Sequence, residues 1–352
     1  MPRKAPDNNK KFVQGEEDEM RLAGITALVA IFGQLLLSGP LTADIYVGST
    51  PRITVYPDTA NGDVAPIRTL EGNATGILIT GGIALDTVHG ELFAIPTSLG
   101  SLVSVYPIEA NGNQGPLRTV GTGSIRVSTI AVDPVNNELY VVSTDPNAIK
   151  VFSRTADGEV APIRTIEGAA TGLDFTSGIF VDLLHDEIFV AAITTQSVRV
   201  FPRLADGNVA PIRTLTGPAT GFVFPQWLFV SNTHDELYVS DRVGVVSVFS
   251  RTANGNTSPI RMLSGDMTTL VHPQGVYLNT SDELLVAEED SNSVLVFPRL
   301  ANGDVAPIRQ ISGANTLMLN AYSLVGTNAV EGASGLVALP FGFADGFESS
   351  PP

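Results

Sequence analysis

From residue 44 onward, apolar and polar residues alternate in short runs separated by turn residues. That period of two is the signature of half-buried β-strands. Ser128 to Asp133 is a mostly apolar run, and Pro134-Val135-Asn136-Asn137 is a turn. Glu138 to Val142 alternates, Asp145-Pro146-Asn147 turns again, and Ala148 to Phe152 alternates. Asp157-Gly158 then reads as a two-residue hairpin turn, because such turns need positive φ. Pro162 to Ile166 is a fourth strand, and a proline without an amide donor suits an edge. No comparable helical periodicity follows residue 43.

This four-strand pattern recurs six times. Each unit carries an aromatic residue, an Asn-Gly or Asp-Gly pair, and an arginine. The aromatics are Tyr56, Tyr106, Phe152, Phe201, Phe249 and Phe297, spaced 50, 46, 49, 48 and 48 residues apart. Arg68, Arg118, Arg164, Arg213, Arg261 and Arg309 each follow their aromatic by 12 residues. Four antiparallel strands in a repeat of this length make one propeller blade. The expected fold is therefore all-β, a six-bladed β-propeller. The chain enters at Asp44-Ile45-Tyr46-Val47, which matches the second strand of a blade. The apolar segment Leu317 to Val325 is expected to supply the missing innermost strand and close the ring. Gly335 to Leu339 reads as one more strand. The propeller is expected over residues 44–340, with an exposed tail over 341–352.

The opening strands Gly82-Ile83-Ala84-Leu85-Asp86, Ile130-Ala131-Val132-Asp133 and Gly178-Ile179-Phe180-Val181-Asp182 resemble those of NHL repeats. Glu138 to Val141 and Ser293 to Phe297 are similar to the second and third strands. Pro273-Gln274-Gly275-Val276 resembles the Pro-x-Gly start. The resemblance spans roughly residues 44–325. Departures are Ser231 and Asn279 near the strand-ending Asp, and Trp227 in the place of Gly82, Gly178 and Gly275. The resemblance implies a fold that serves ubiquitin-ligase interaction modules, amidating lyases and exported bacterial proteins, so function must be argued from the site.

Leu22 to Leu37 is an uncharged, mostly apolar stretch, preceded by Arg21 and followed by Ser38-Gly39-Pro40-Leu41-Thr42-Ala43. It reads as a secretory leader cleaved after Ala43, with a short membrane anchor as the alternative. Met20 would begin a more ordinary leader than the acidic stretch before it. The expected location is periplasmic or extracellular. The formal net charge is −16, which repels phosphate backbones and argues against nucleic acid. There is no cysteine, which excludes disulfides and thiolate chemistry.

Propeller ligands are expected where the loops before the innermost strands converge. Trp227, the only tryptophan, is the candidate platform there, for a sugar ring or an apolar group. Gln226, Arg242, Arg126 and His272 are candidate partners. Glu288, Glu289 and Asp290 are candidate oxygen ligands for calcium. His89, His185 and His234 fall on separate turns around a rim and cannot meet at one metal. The six repeat arginines read as a structural ladder, and the six aromatics as packing between blades. Two functions fit: a non-catalytic, monomeric scaffold binding a protein, peptide or glycan through one face, or a calcium-dependent hydrolase, lactonase or lyase at the channel mouth.

Overall fold

A computed structural model describes residues 44–78, 81–96, 102–121 and 126–327. The leader, the strand read over residues 335–339, the boundary at 340 and the tail lie outside these residues. The described chain forms six antiparallel sheets in a ring. The first blade is assembled from both ends of that chain, in the order Ser323–Gly326, Asp44–Ser49, Arg52–Pro57, Arg68–Leu70. Val325 pairs with Tyr46 and Leu324 with Val47. The expected closure is present, although only the end of the expected segment is a strand. Ahead of it, the Thr50 and Tyr322 amides donate to the Leu319 and Gly48 carbonyls, at 2.8 and 2.9 Å.

The other blades run in chain order. Their innermost strands are Ile83–Asp86, Val127–Asp133, Thr176–Asp182, Pro225–Ser231 and Pro273–Leu278. The second strands are not half-buried, as alternation suggests, but buried along nearly their whole length, because each face of the sheet is covered by a neighbouring blade. Tyr56, Tyr106, Phe152, Phe201, Phe249 and Phe297 are all 0% exposed. Burying an aromatic of that size is among the largest stabilising contributions a side chain can make. The Tyr106 hydroxyl also donates to the Thr75 carbonyl of the preceding blade at 2.6 Å.

The Asn-Gly and Asp-Gly pairs do not form the two-residue hairpins that the sequence suggests. The glycines do take positive φ, between 65° and 80°. However, each pair lies in a longer loop that reaches the outermost strand of the preceding blade. Gly112 bridges Leu70, Gly207 bridges Ile166 and Gly255 bridges Leu215, all in parallel. Gly62 bridges Ile311 and carries the pattern across the closure. The Asx side chain completes the clasp. Asn111 Oδ1 accepts the Thr69 amide at 3.0 Å, and Asp206 Oδ1 accepts the Thr165 amide at 2.9 Å. The physical reason is the outer edge: its backbone groups need partners, and the next blade's loop supplies them.

The arginine ladder proves to be paired with carboxylates. Arg164 grips Glu138 of its own blade through both terminal nitrogens, at 2.7 and 2.9 Å. Arg213 holds Glu187 in the same way, at 2.6 and 2.7 Å. A second arginine, from the next blade, reaches the same carboxylate. Arg203 lies 3.4 Å from Glu138, Arg251 3.1 Å from Glu187 and Arg299 3.3 Å from Glu236. Arg154 does so to Glu91. Asp58 and Ile108 occupy this position in the first two blades, so both junctions of the first blade lack the second guanidinium.

Two predictions follow from this architecture. Removing residues 323–352 deletes the strand that covers Asp44–Ser49, so the truncated chain is expected to melt far below the full chain, or not to fold. Equal melting temperatures would refute closure. The second concerns acid. Burial pushes the carboxyls of Glu91, Glu138, Glu236 and Glu283 up, but hydrogen bonds and charge from their arginines, with added bonds from Tyr140, Tyr238 and Asn279, bring each below 4.5. A lowered folded value stabilises above the unfolded value and is lost as pH falls through the folded one. Melting temperature is therefore expected to hold from neutrality to about 4.5 and to fall below it. A rise on acidification below that point would mean that relief of the net charge of −16 outweighs the braces.

Candidate functional site

The loops before the innermost strands open onto a cavity of about 450 Å³ at one end of the ring. Its lining brings together Arg126, Gln226, Trp227 and Arg242, four of the five residues singled out for ligand contact. Phe175, Thr176, Ser177, Ser128, Thr144 and Tyr322 also line it. Five of the six blades contribute.

Trp227 is partly exposed, and its position follows from a close approach of backbones. A Cβ on Gly178 would stand 2.6 Å from the Gln226 carbonyl oxygen and 2.9 Å from the Trp227 Cα. A Cβ on Gly82 would likewise meet Thr129, and one on Gly275 would meet Leu324. Glycine thus alternates with larger residues around the top of the channel. Trp227 fits because Gly178 faces it, as Thr129 is faced by Gly82 and Leu324 by Gly275. The Trp227 amide donates to the Ser240 hydroxyl at 3.2 Å, and that hydroxyl donates to the Gln274 carbonyl at 2.7 Å.

Before the innermost strand of the neighbouring blade, Phe175 has φ of 42° and is 52% exposed. A bulky residue in the left-handed region is a strained outlier, and such strain gathers at functional positions. Its amide donates to Asn147 Oδ1 at 3.0 Å, which helps hold the turn. Thr176 is 1% exposed, and its hydroxyl has no hydrogen-bond partner among the described residues. Burial raises the Tyr322 hydroxyl pKa; Glu289 adds to the rise and Arg242 opposes it.

The acidic trio is spread over different partners. Glu288 is fully buried and accepts the His272, Val271 and Asp290 amides at 2.8, 3.1 and 3.3 Å. Burial raises its pKa, against those amides. Glu289 accepts from Gln274 Nε2 at 2.7 Å and from Arg242 at 3.4 Å. Asp290 is hydrogen-bonded to His272 Nδ1 at 2.7 Å, so His272 is tied into this loop and is not part of the cavity lining. No group of three His, Asp or Glu residues suited to a metal occurs among the described residues. His89 and His185 bond Asp86 and Asp182 of their own turns, at 2.7 and 2.8 Å, while His234 bonds Asp282 of the next blade at 2.8 Å.

Phe175, Thr176 and Tyr322 were not legible as site residues from the sequence. Tyr322 lies in the closing segment, so only the knowledge that this segment ends at the channel mouth could have marked it.

Solved structures share this fold. The WD40 β-propeller domain of Doa1 aligns with a TM-score of 0.51 at 11% identity, over 77% of this chain and 79% of that chain. A functionally unknown protein from Desulfotomaculum acetoxidans DSM 771 aligns at 0.56 and 14%, over 81% and 85%. A chain of a nidogen/laminin complex aligns at 0.57 and 14%, over 81% and 98%. At such identities the likeness is one of fold. The chain matches no family model and no curated protein.

Because Gly178 makes room for Trp227, Gly178→Ala is expected to push the Gln226–Trp227 strand aside. The variant should stay folded, with a lower melting temperature and a shifted tryptophan emission maximum. An unchanged spectrum would show that the Gly178 contact does not set the indole's position.

Proposed function

We propose that this chain is a non-catalytic propeller scaffold that binds a glycan through the mouth of its central channel. One observation carries the reading: the sole tryptophan stands partly exposed in a cavity also lined by a second ring, several hydroxyls and two arginines. Aromatic faces receive the apolar face of a sugar, and hydroxyls and guanidinium groups answer its polar edges. Among the described lining residues the charged side chains are the two arginines, which suits binding of a polar ligand. The fold is equally consistent with a protein-binding scaffold, and one fold neighbour is a chain of the nidogen/laminin complex. The rings and hydroxyls at this mouth favour a sugar. Export, and a place among NHL-like propellers, belong to the same proposal. They are supported by the leader-like segment 22–37 and by the six repeated opening strands.

The test is a glycan array followed by titration of the best ligand. Trp227→Ala is expected to weaken binding at least about tenfold, as loss of an aromatic anchor does, with its melting temperature close to that of the parent. Acrylamide should quench the parent's fluorescence readily. A tryptophan that acrylamide cannot reach, or binding that survives Trp227→Ala, would remove the mouth as the site.

A further inference from the structure

We propose that the ligand taken by this mouth carries a carboxylate, and that its class is an acidic sugar, a hexuronate unit. The inference rests on the mouth being the binding site and adds the charge of what enters it. The chain as a whole is strongly acidic, at −16, yet the charged side chains lining the cavity are Arg126 and Arg242. Several acids on the surrounding loops are turned to other work, while Asp145, whose carbonyl accepts the Arg126 amide at 3.4 Å, and Asp174 stand on the same loops. Asp241 accepts the Val223 and Phe224 amides at 2.7 and 2.9 Å. Glu288 accepts three backbone amides, and Asp290 holds His272.

Arg126 is exposed and has no ion pair with any described carboxylate. Arg242 has one long contact, 3.4 Å to Glu289, with its side chain 41% exposed. Glu289 is itself held by Gln274 Nε2 at 2.7 Å. A guanidinium presents five donors, so both arginines keep most of theirs for a ligand. Elsewhere in this chain, paired arginines are met by carboxylates in forked geometry, as at Glu138 and Glu187. A carboxylate is the partner that best matches the fork of donors left open at the mouth.

The rest of the wall says what the carboxylate is attached to. Trp227 and Phe175 offer ring faces and Thr144 a hydroxyl, while the Ser177 and Ser128 hydroxyls donate to the Gln226 and Val142 carbonyls, at 2.7 and 3.3 Å, and are left to accept from a ligand. The Thr176 hydroxyl is buried and lacks a partner among the described residues. A polyhydroxylated ring with one acid group uses the rings, the hydroxyls and the guanidinium groups together. A simple aliphatic carboxylate would use the arginines alone.

The experiment reads the sign of the mouth first and the ligand second, on the full chain, through Trp227 fluorescence. Acrylamide, iodide and caesium are compared as quenchers at constant ionic strength. A cationic mouth concentrates iodide and excludes caesium, against the net charge of the chain. Iodide is expected to quench at least about threefold better, and Arg126→Gln/Arg242→Gln should abolish that preference with unchanged melting. D-glucuronate and D-galacturonate are then titrated beside D-glucose, D-galactose and acetate. One or both uronates should bind at least about tenfold tighter than their neutral parents and than acetate, with the advantage lost in the double variant and reduced by salt.

If acrylamide reaches the indole but caesium quenches as well as iodide, the cationic mouth is wrong and the binding site stands. If acrylamide fails to reach it, the site reading falls and takes this one with it. Equal binding of uronate and parent overturns the acid requirement. Acetate binding as tightly as a uronate, or no response to either uronate, overturns the sugar.

Discussion

A blade buries apolar side chains on both faces of its sheet, so a row of blades has two open ends and only a ring has none. That constraint governs this molecule. The pairing of Ser323–Gly326 with Asp44–Ser49 removes the open ends, and the core then runs on across the join. Leu324 and Met318 pack in one cluster with Ile45, Val47 and the buried residues of the last blades. Val325 and Tyr46 pack in another with Leu85, Leu92 and Tyr106 of the second blade. Closure also sets the mouth, because the segment that delivers the last strand places Tyr322 in the cavity wall.

Two polar devices repeat at the junctions and do different work. The Asx-Gly clasp pairs an outer edge that would otherwise be open, and it recurs at every junction, including the one across the closure. The shared carboxylate, held between its own arginine and one from the next blade, is present at Glu91, Glu138, Glu187 and Glu236. It is absent around the first blade. There Arg68 turns to Asp44, at 3.1 Å, and to Tyr46, while the Asp58 carboxyl is pushed up chiefly by burial. Other bonds serve this blade's two junctions: Arg68 reaches Glu109 of the second blade at 2.8 Å, and Arg309 donates to the Ala60 carbonyl across the closure at 2.8 Å.

Blade number, strand count and the place of the join were readable because each rests on local patterning: period-two alternation, a fixed aromatic-to-arginine spacing, and a unit lacking one strand. The clasp was misread for a definite reason. Positive φ at Asx-Gly is a local fact, but the partner of that loop lies about 40 residues away in the preceding blade, as in the Thr69–Asn111 bond, and no local rule names it. Trp227 could be singled out because it breaks a repeat, and Arg242 because it is a polar residue on a nearby loop. Phe175 and Thr176 could not, because their importance lies in the strain of one and the unmatched hydroxyl of the other. The acids at 288–290 drew attention as a cluster, whereas their geometry is that of a loop brace.

The claim on which all of this rests is that the ring is closed by residues 323–326, so that the first blade is as much a part of one cooperative structure as any other. Native-state hydrogen exchange measures this most directly. The amides of Ile45, Val47 and Val325 are predicted to exchange only through global unfolding, with the same opening free energy and denaturant dependence as those of Val141 and Val190 in the middle of the ring. Exchange of the first-blade amides through a separate, low-energy opening, while the central blades stay protected, would contradict the account.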